Sequence, residues 1–147
     1  MRDFVIVSGS WSASAAAVLY RTAMRLMDDR TASALLVRSY APGEIRVGDT
    51  LLQQSCLISP DRLIDDWRPQ TLDEVTEADL EAVFALQPEI VVLGSGPRQR
   101  FPEQRLLAAV MARGIGCEVM DTGAACRTYN VLVSEARRAV AALLLRE

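Results

Sequence analysis

Apolar and polar positions change rhythm along the chain, and each change marks an element. Residues 34–40 alternate weakly, Pro42-Gly43 is a turn signal, and residues 44–47 set Ile45 and Val47 on one face. Gly48-Asp49 turns the chain again, and residues 50–58 supply a third strand. Strands joined by such short links pair antiparallel. Residues 61–69 are irregular, with Trp67 placed to cover an edge of the core. A helix then begins at Thr76. Thr76 and Asp79 have capping-box spacing, and Val75 and Leu80 stand where a hydrophobic staple packs. Leu80, Val83 and Phe84 form its apolar stripe, and Pro88 ends it.

Residues 89–93 are almost continuously apolar, as in a strand covered on both faces. Pro102 suits the first turn of a helix, Leu106, Leu107, Val110 and Met111 make its inward stripe, and Gly114 suits its C-terminal cap. Residues 117–120 read as a second parallel strand, completing a βαβ crossover over about residues 89–120. A last helix is expected to begin within residues 125–128 and to continue toward Leu144, with Leu132, Ala136, Val140, Leu143 and Leu144 on one stripe. These rhythms predict a single α/β domain, with an N-terminal antiparallel strand region ahead of the crossover. Residues 1–26 are rich in Ser and Ala and imitate a targeting leader, but Ser8, Gly9, Ser10, Ser12 and Ser14 interrupt its apolar region. Residues 1–27 are therefore read as an extension outside the core.

Composition removes whole classes of chemistry. The 147 residues are 50% hydrophobic and 24% charged, which suits one soluble domain. A net charge of −3 argues against a general nucleic-acid-binding surface, and no apolar run reaches the length of about 18 residues that spans a membrane. There is no histidine, so imidazole bases, nucleophiles and metal ligands are excluded. All 16 basic residues are Arg, which excludes Schiff-base and P-loop lysines. Cys56, Cys117 and Cys126 have no C-x-x-C spacing and read as reduced thiols in a cytoplasmic protein. The charge is also uneven. Residues 61–89 carry nine carboxylates against two Arg, whereas residues 94–114 carry Arg98, Arg100, Arg105 and Arg113 against Glu103 alone.

Ligands of open α/β sheets bind beyond the carboxyl ends of the parallel strands, so residues 94–101 and 121–130 are expected to share one rim. Gly94-Ser95-Gly96, between strand and helix, resembles a phosphate-binding turn, with Arg98 and Arg100 able to grip an anion. The third glycine of a dinucleotide fingerprint is missing, since Gln99 occupies that place. Glycines that merely permit a tight turn are the simpler reading. Asp121 and Thr122 follow a strand end, where they serve either chemistry or helix capping. Cys126 beside Arg127 at a helix start meets the electrostatic conditions for a reactive thiol, but no base completes a catalytic unit and a packing thiol is the simpler role. Phe101, Thr128, Tyr129 and Asn130 complete the candidate binding rim. No catalytic residue, metal site or cofactor is predicted.

The stretches VVLGSGPRQRF and GIGCEVMDTGAACRTYNVLVSEARRAVAALL, with YAPGEIRVGD and LIDDW before them, closely resemble the Mth-domain family. Its animal relatives include an adipogenesis-associated protein and a mitochondrial complex I assembly factor. The resemblance covers about residues 28–147 and implies a three-layer α/β domain around a central mixed sheet, with no established reaction. Ser95 stands where Thr is common, and Ala136 where Gly is common.

Two functions fit. One is a non-catalytic binding or assembly-accessory domain whose Arg98, Arg100, Phe101, Arg127 and Tyr129 contact a protein partner. The other is a small enzyme or sensor that binds an anionic metabolite across the two loops, with Asp121 or Cys126 reactive.

Overall fold

A computed structural model of the chain describes residues 34–147. The expected N-terminal extension lies outside the described residues. Three short strands, β1 (Val37–Ala41), β2 (Glu44–Val47) and β3 (Thr50–Leu52), form an antiparallel sheet in that order. Positive φ at Gly43 and Gly48 makes both of its tight turns possible. The run 50–58 does not form one strand. It breaks after Leu52, and Cys56–Ile58 becomes β4 of a separate, larger sheet.

That larger sheet contains β4, β5 (Leu63–Ile64), β6 (Ile90–Gly94), β7 (Gly116–Met120) and β8 (Ala139–Leu143) in the order β5-β4-β8-β6-β7. β6 runs parallel to β7 and β8, whereas β4 runs antiparallel to β5 and β8, so the sheet is mixed. Helices α1 (Leu80–Phe84) and α2 (Gln104–Met111) pack on one face, and α3 (Thr122–Ser134) packs on the other. The three-layer α/β fold and the 89–120 crossover are both present.

β8 shows how the sheet divides the core. Ala139, Ala141 and Leu143 face the α3 side, while Val140, Ala142 and Leu144 face α1 and α2. Residues 139–145 are all buried, the pattern of a strand covered on both sides. The expected long C-terminal helix is therefore corrected: α3 stops at Ser134, and the apolar residues beyond it form the middle strand. The stop is a Schellman turn, in which Ala136 N–H donates to Val133 O and Arg137 N–H to Leu132 O, both at 2.9 Å.

This turn needs a left-handed residue, and Ala136 adopts φ 63° there. Alanine pays a steric cost in that region that glycine does not. Ala136→Gly is expected to stabilise the domain by about 0.5–1 kcal/mol after allowing for the looser unfolded chain. A thermal melt that shows a lower midpoint for Ala136→Gly would contradict this reading.

The acidic segment wraps the α1 side through one carboxylate. Asp79 Oδ2 accepts from Thr76 N–H at 2.8 Å and from Thr76 Oγ1 at 2.9 Å, forming the expected capping arrangement. Arg68 grips the same carboxylate at 2.8 and 2.7 Å, and the buried Trp67 donates its indole N–H to Asp79 O at 3.2 Å. The Arg68 hydrogen bond is the main cause that holds the Asp79 carboxyl down to about 2, with the Thr76 bonds adding to it.

Candidate functional site

The carboxyl ends of β6, β7 and β8 lie at one edge of the sheet, as their parallel pairing requires. The chain leaves β6 for α2 on one face and leaves β7 for α3 on the other, which creates a switch point between those two strand ends. In this molecule the switch point is stitched shut. Ser95 N–H donates to Met120 O at 2.8 Å, and Thr122 N–H donates to Gly96 O at 2.9 Å. Thr122 Oγ1 accepts from Gly96 N–H at 2.9 Å and donates to Leu144 O at 2.5 Å. Ser95 Oγ donates to Arg98 O at 2.7 Å and accepts from Arg100 N–H at 3.0 Å.

Both glycines of the loop are forced by close approach. A Cβ on Gly94 would lie 2.8 Å from Thr122 Oγ1 and 3.0 Å from Thr122 Cα. A Cβ on Gly96 would lie 2.8 Å from Arg146 O, and Gly96 adopts φ 115°. Gly94, Ser95, Gly96 and Thr122 are buried, so these four expected rim residues are structural. The N–H groups of Ser95, Gly96 and Arg100, which a phosphate-binding turn would aim at an anion, are spent within the fold. Asp121 caps α3 by accepting from Ala124 N–H at 2.9 Å, so a carboxylate already occupies the helix N-terminus.

α3 starts at Thr122, earlier than expected, and this rotates the later candidates into the core. Thr122, Ala125, Cys126, Tyr129 and Val133 form its buried stripe. Tyr129 is fully buried and its hydroxyl donates to Leu35 O at 2.8 Å, so it is a packing anchor and not a surface contact. Asn130 bridges α3 to β1, accepting from Val37 N–H at 3.0 Å and donating to Val37 O at 2.8 Å. Thr128 directs its hydroxyl to Met120 Sδ at 3.2 Å.

The reactive reading of Cys126 is corrected too. Burial pushes its thiol up to about 12, Arg127 opposes that shift, and Asp121 adds to it. Cys117, half-buried, is pushed up to about 11 by burial and then by Glu118. Burial raises both thiols well above their ordinary value, so neither is poised as a nucleophile at neutral pH. Cys56, buried in β4, is pushed up to about 12.

Arg98, Arg100 and Phe101 remain at the surface. Arg98 pairs with Glu147 at 3.0 Å and Arg100 with Asp73 at 2.8 Å. The Asp73 pair leans this loop toward the α1 and α2 layer. Arg127 is exposed on α3, in the opposite layer, so the three arginines do not share a layer. Phe101 is 68% exposed, the largest exposure of any big apolar side chain among the described residues.

A groove of about 620 Å³ lies at the opposite end of the sheet, between Leu35, Pro60, Val133 and Ala136. No predicted rim residue lines it. Its charged walls neutralise each other, through Arg137 with Glu89 at 3.2 Å and Arg138 with Asp61 at 3.1 Å. Among the described residues, no helix is long and apolar enough to cross a membrane.

Known proteins resemble this chain in sequence and in fold. The chain is 32% identical over 126 residues to the human NADH dehydrogenase (ubiquinone) 1 alpha subcomplex assembly factor 3, spanning 84% of this chain and 68% of that one. The NMR structure of a Xanthomonas campestris protein is 41% identical with a TM-score of 0.70, over 76% of this chain and 84% of that one. The solution NMR structure of a Bordetella pertussis Mth938-like domain is 28% identical with a TM-score of 0.67, over 76% of this chain and 85% of that one. A family model described as protein of unknown function (DUF498/DUF598) matches residues 37–144, and this chain belongs to that family.

Proposed function

We propose that this chain is a non-catalytic protein-binding domain of the assembly-accessory kind, working in a reducing cytoplasm. The observation that carries the reading is Phe101, held 68% exposed beside Arg98 and Arg100 in a loop whose base is locked by Ser95 and Thr122. An exposed aromatic flanked by arginines on a rigid support is the composition of an interface anchor. The human relative's name as an assembly factor supports a partner that is a protein, and a respiratory complex under assembly is the finer form of the proposal. The competing reading, an anionic metabolite, asks for loop N–H groups that this fold spends on itself.

The test is affinity capture from the source cell with the tagged chain and its Phe101→Ala and Arg98→Glu variants. Phe101→Ala should reduce recovery of the specific partner at least tenfold. Both variants should melt close to the wild type, because Phe101 is 68% exposed and exposed charges such as Arg98 contribute only about 0–1 kcal/mol to folding. Undiminished capture by Phe101→Ala would overturn the reading, and so would a thermal shift of the wild type by phosphate or carboxylate metabolites that Arg98→Glu removes.

A further inference from the structure

Among the described residues, β7 is the last strand of the five-stranded sheet and pairs with a strand on one side only. Gly116 N–H donates to Glu89 O at 3.1 Å, and Met120 O accepts from Ser95 N–H, so residues 116, 118 and 120 turn their peptide groups toward β6. The alternation of a parallel ladder then turns the N–H and C=O groups of Cys117 and Val119 outward. Among the described residues, only one of these four groups has a partner: Val119 O accepts from the Gln99 side-chain amide at 3.2 Å. A side-chain amide thus stands where the N–H of a neighbouring strand would stand.

Exposed edges are usually protected by a proline, a bulge or a lysine. β7 has none of these. Its pairing with β6 is regular from Ile90 and Gly116 through Gly94 and Met120, and its single charge is Glu118. Cys117 and Val119 pack on the α2 side, so Glu118 lies on the α3 side, exposed and without an ion pair among the described residues. α2 packs on β7, and Phe101, just before that helix, and Met111, its last residue, are 68% and 64% exposed.

We propose that the outer edge of β7 accepts an extended strand of a partner polypeptide. The partner strand carries apolar residues on its α2 side, beside the half-buried Cys117 and Val119, and an Arg or Lys opposite Glu118. The complementary charge selects a different protein over a second copy of this chain. Antiparallel self-pairing that used all four outward groups would be centred on Glu118 and would set two carboxylates opposite each other. The proposal rests on the protein-binding reading above and specifies how the partner docks.

The probes are two blocked heptapeptides of alternating Val and Thr that differ only in Arg or Glu at the centre. With wild-type protein, the Arg peptide should slow hydrogen exchange at the Cys117 and Val119 amides and bind at least threefold tighter than the Glu peptide. Glu118→Arg, an exposed change, should invert that preference. Val119→Pro, which removes an N–H that the sheet does not use, should weaken both peptides at least tenfold. Unchanged exchange at Cys117 and Val119 with either peptide, or equal affinity for the two, overturns the proposal. Sedimentation showing a dimer that protects these amides without peptide also overturns it, in favour of a second copy. If the partner captured from cells is lost with Phe101→Ala but retained by Glu118→Arg and Val119→Pro, strand addition fails while the protein-binding reading stands.

Discussion

Gly96→Ala should cost the domain about 3 kcal/mol or more, and Gly94→Ala a similar amount. At Gly96 two penalties add. A φ of 115° is a region that side chains rarely enter, and the new methyl would lie 2.8 Å from the carbonyl oxygen of Arg146. At Gly94 the backbone is ordinary, but the methyl would meet Thr122 Cα at 3.0 Å and Ala125 Cβ at 3.2 Å, neither of which can swing aside. Such losses correspond to a fall in melting temperature of about 10 °C or more in a domain of this size. Urea unfolding of the two variants is the check. A loss below about 1 kcal/mol in either would mean that the loop relaxes, and that its glycines are available for a ligand after all.

Thr122→Val should cost about 2–4 kcal/mol although it changes almost no volume. The substitution keeps the bulk that packs against Gly94 and removes only the hydroxyl. Gly96 N–H and Leu144 O, bound to that hydroxyl at 2.9 and 2.5 Å, would then be left without it in a buried site. Thr122→Ser should recover most of the loss, because the hydroxyl returns at the price of one methyl. Chemical denaturation of the pair separates the hydrogen bonds from packing. Equal stability of Thr122→Val and wild type would show that these two hydrogen bonds contribute nothing net to folding.

The crossover was legible because its signals are local: an apolar run, glycines, a helix-start proline, a periodic stripe and a glycine stop. The end of α3 was not legible, and one residue explains why. Ala136 occupies the left-handed cap position that Gly114 fills after α2, so the chain carries no glycine to mark the stop. Ala139, Ala141 and Ala142 then suit a helix as well as a strand by propensity, and only burial on both faces settles the matter. The start of α3 hid in a similar way. Asp121 and Thr122 read equally as turn residues and as caps, and placing the helix start at residues 125–128 put the buried Cys126 and Tyr129 in an exposed first turn. The split of residues 50–58 between two sheets left no mark in the apolar pattern, because both halves are strands. At the rim, the surface positions of Arg98, Arg100 and Phe101 followed from the loop, whereas the partners Glu147 and Asp73 depend on tertiary approach.

The central position of β8 carries a consequence for how this domain folds. Before residues 139–143 insert, β4 with β5 and β6 with β7 are two separate pairs that share no ladder. Joining them requires Cys56 to meet Leu143, about three quarters of the described chain away, so loop-closure entropy has to be met before that pairing gains anything. This non-local encounter is expected to limit the folding rate, so destabilising substitutions in β8 should slow refolding more than those in α2, as stopped-flow refolding would show. Until that encounter occurs, the inner edges of β4 and β6 stand open, and a refolding chain at high concentration is expected to yield some dimer in which β8 is exchanged, detectable by size-exclusion chromatography.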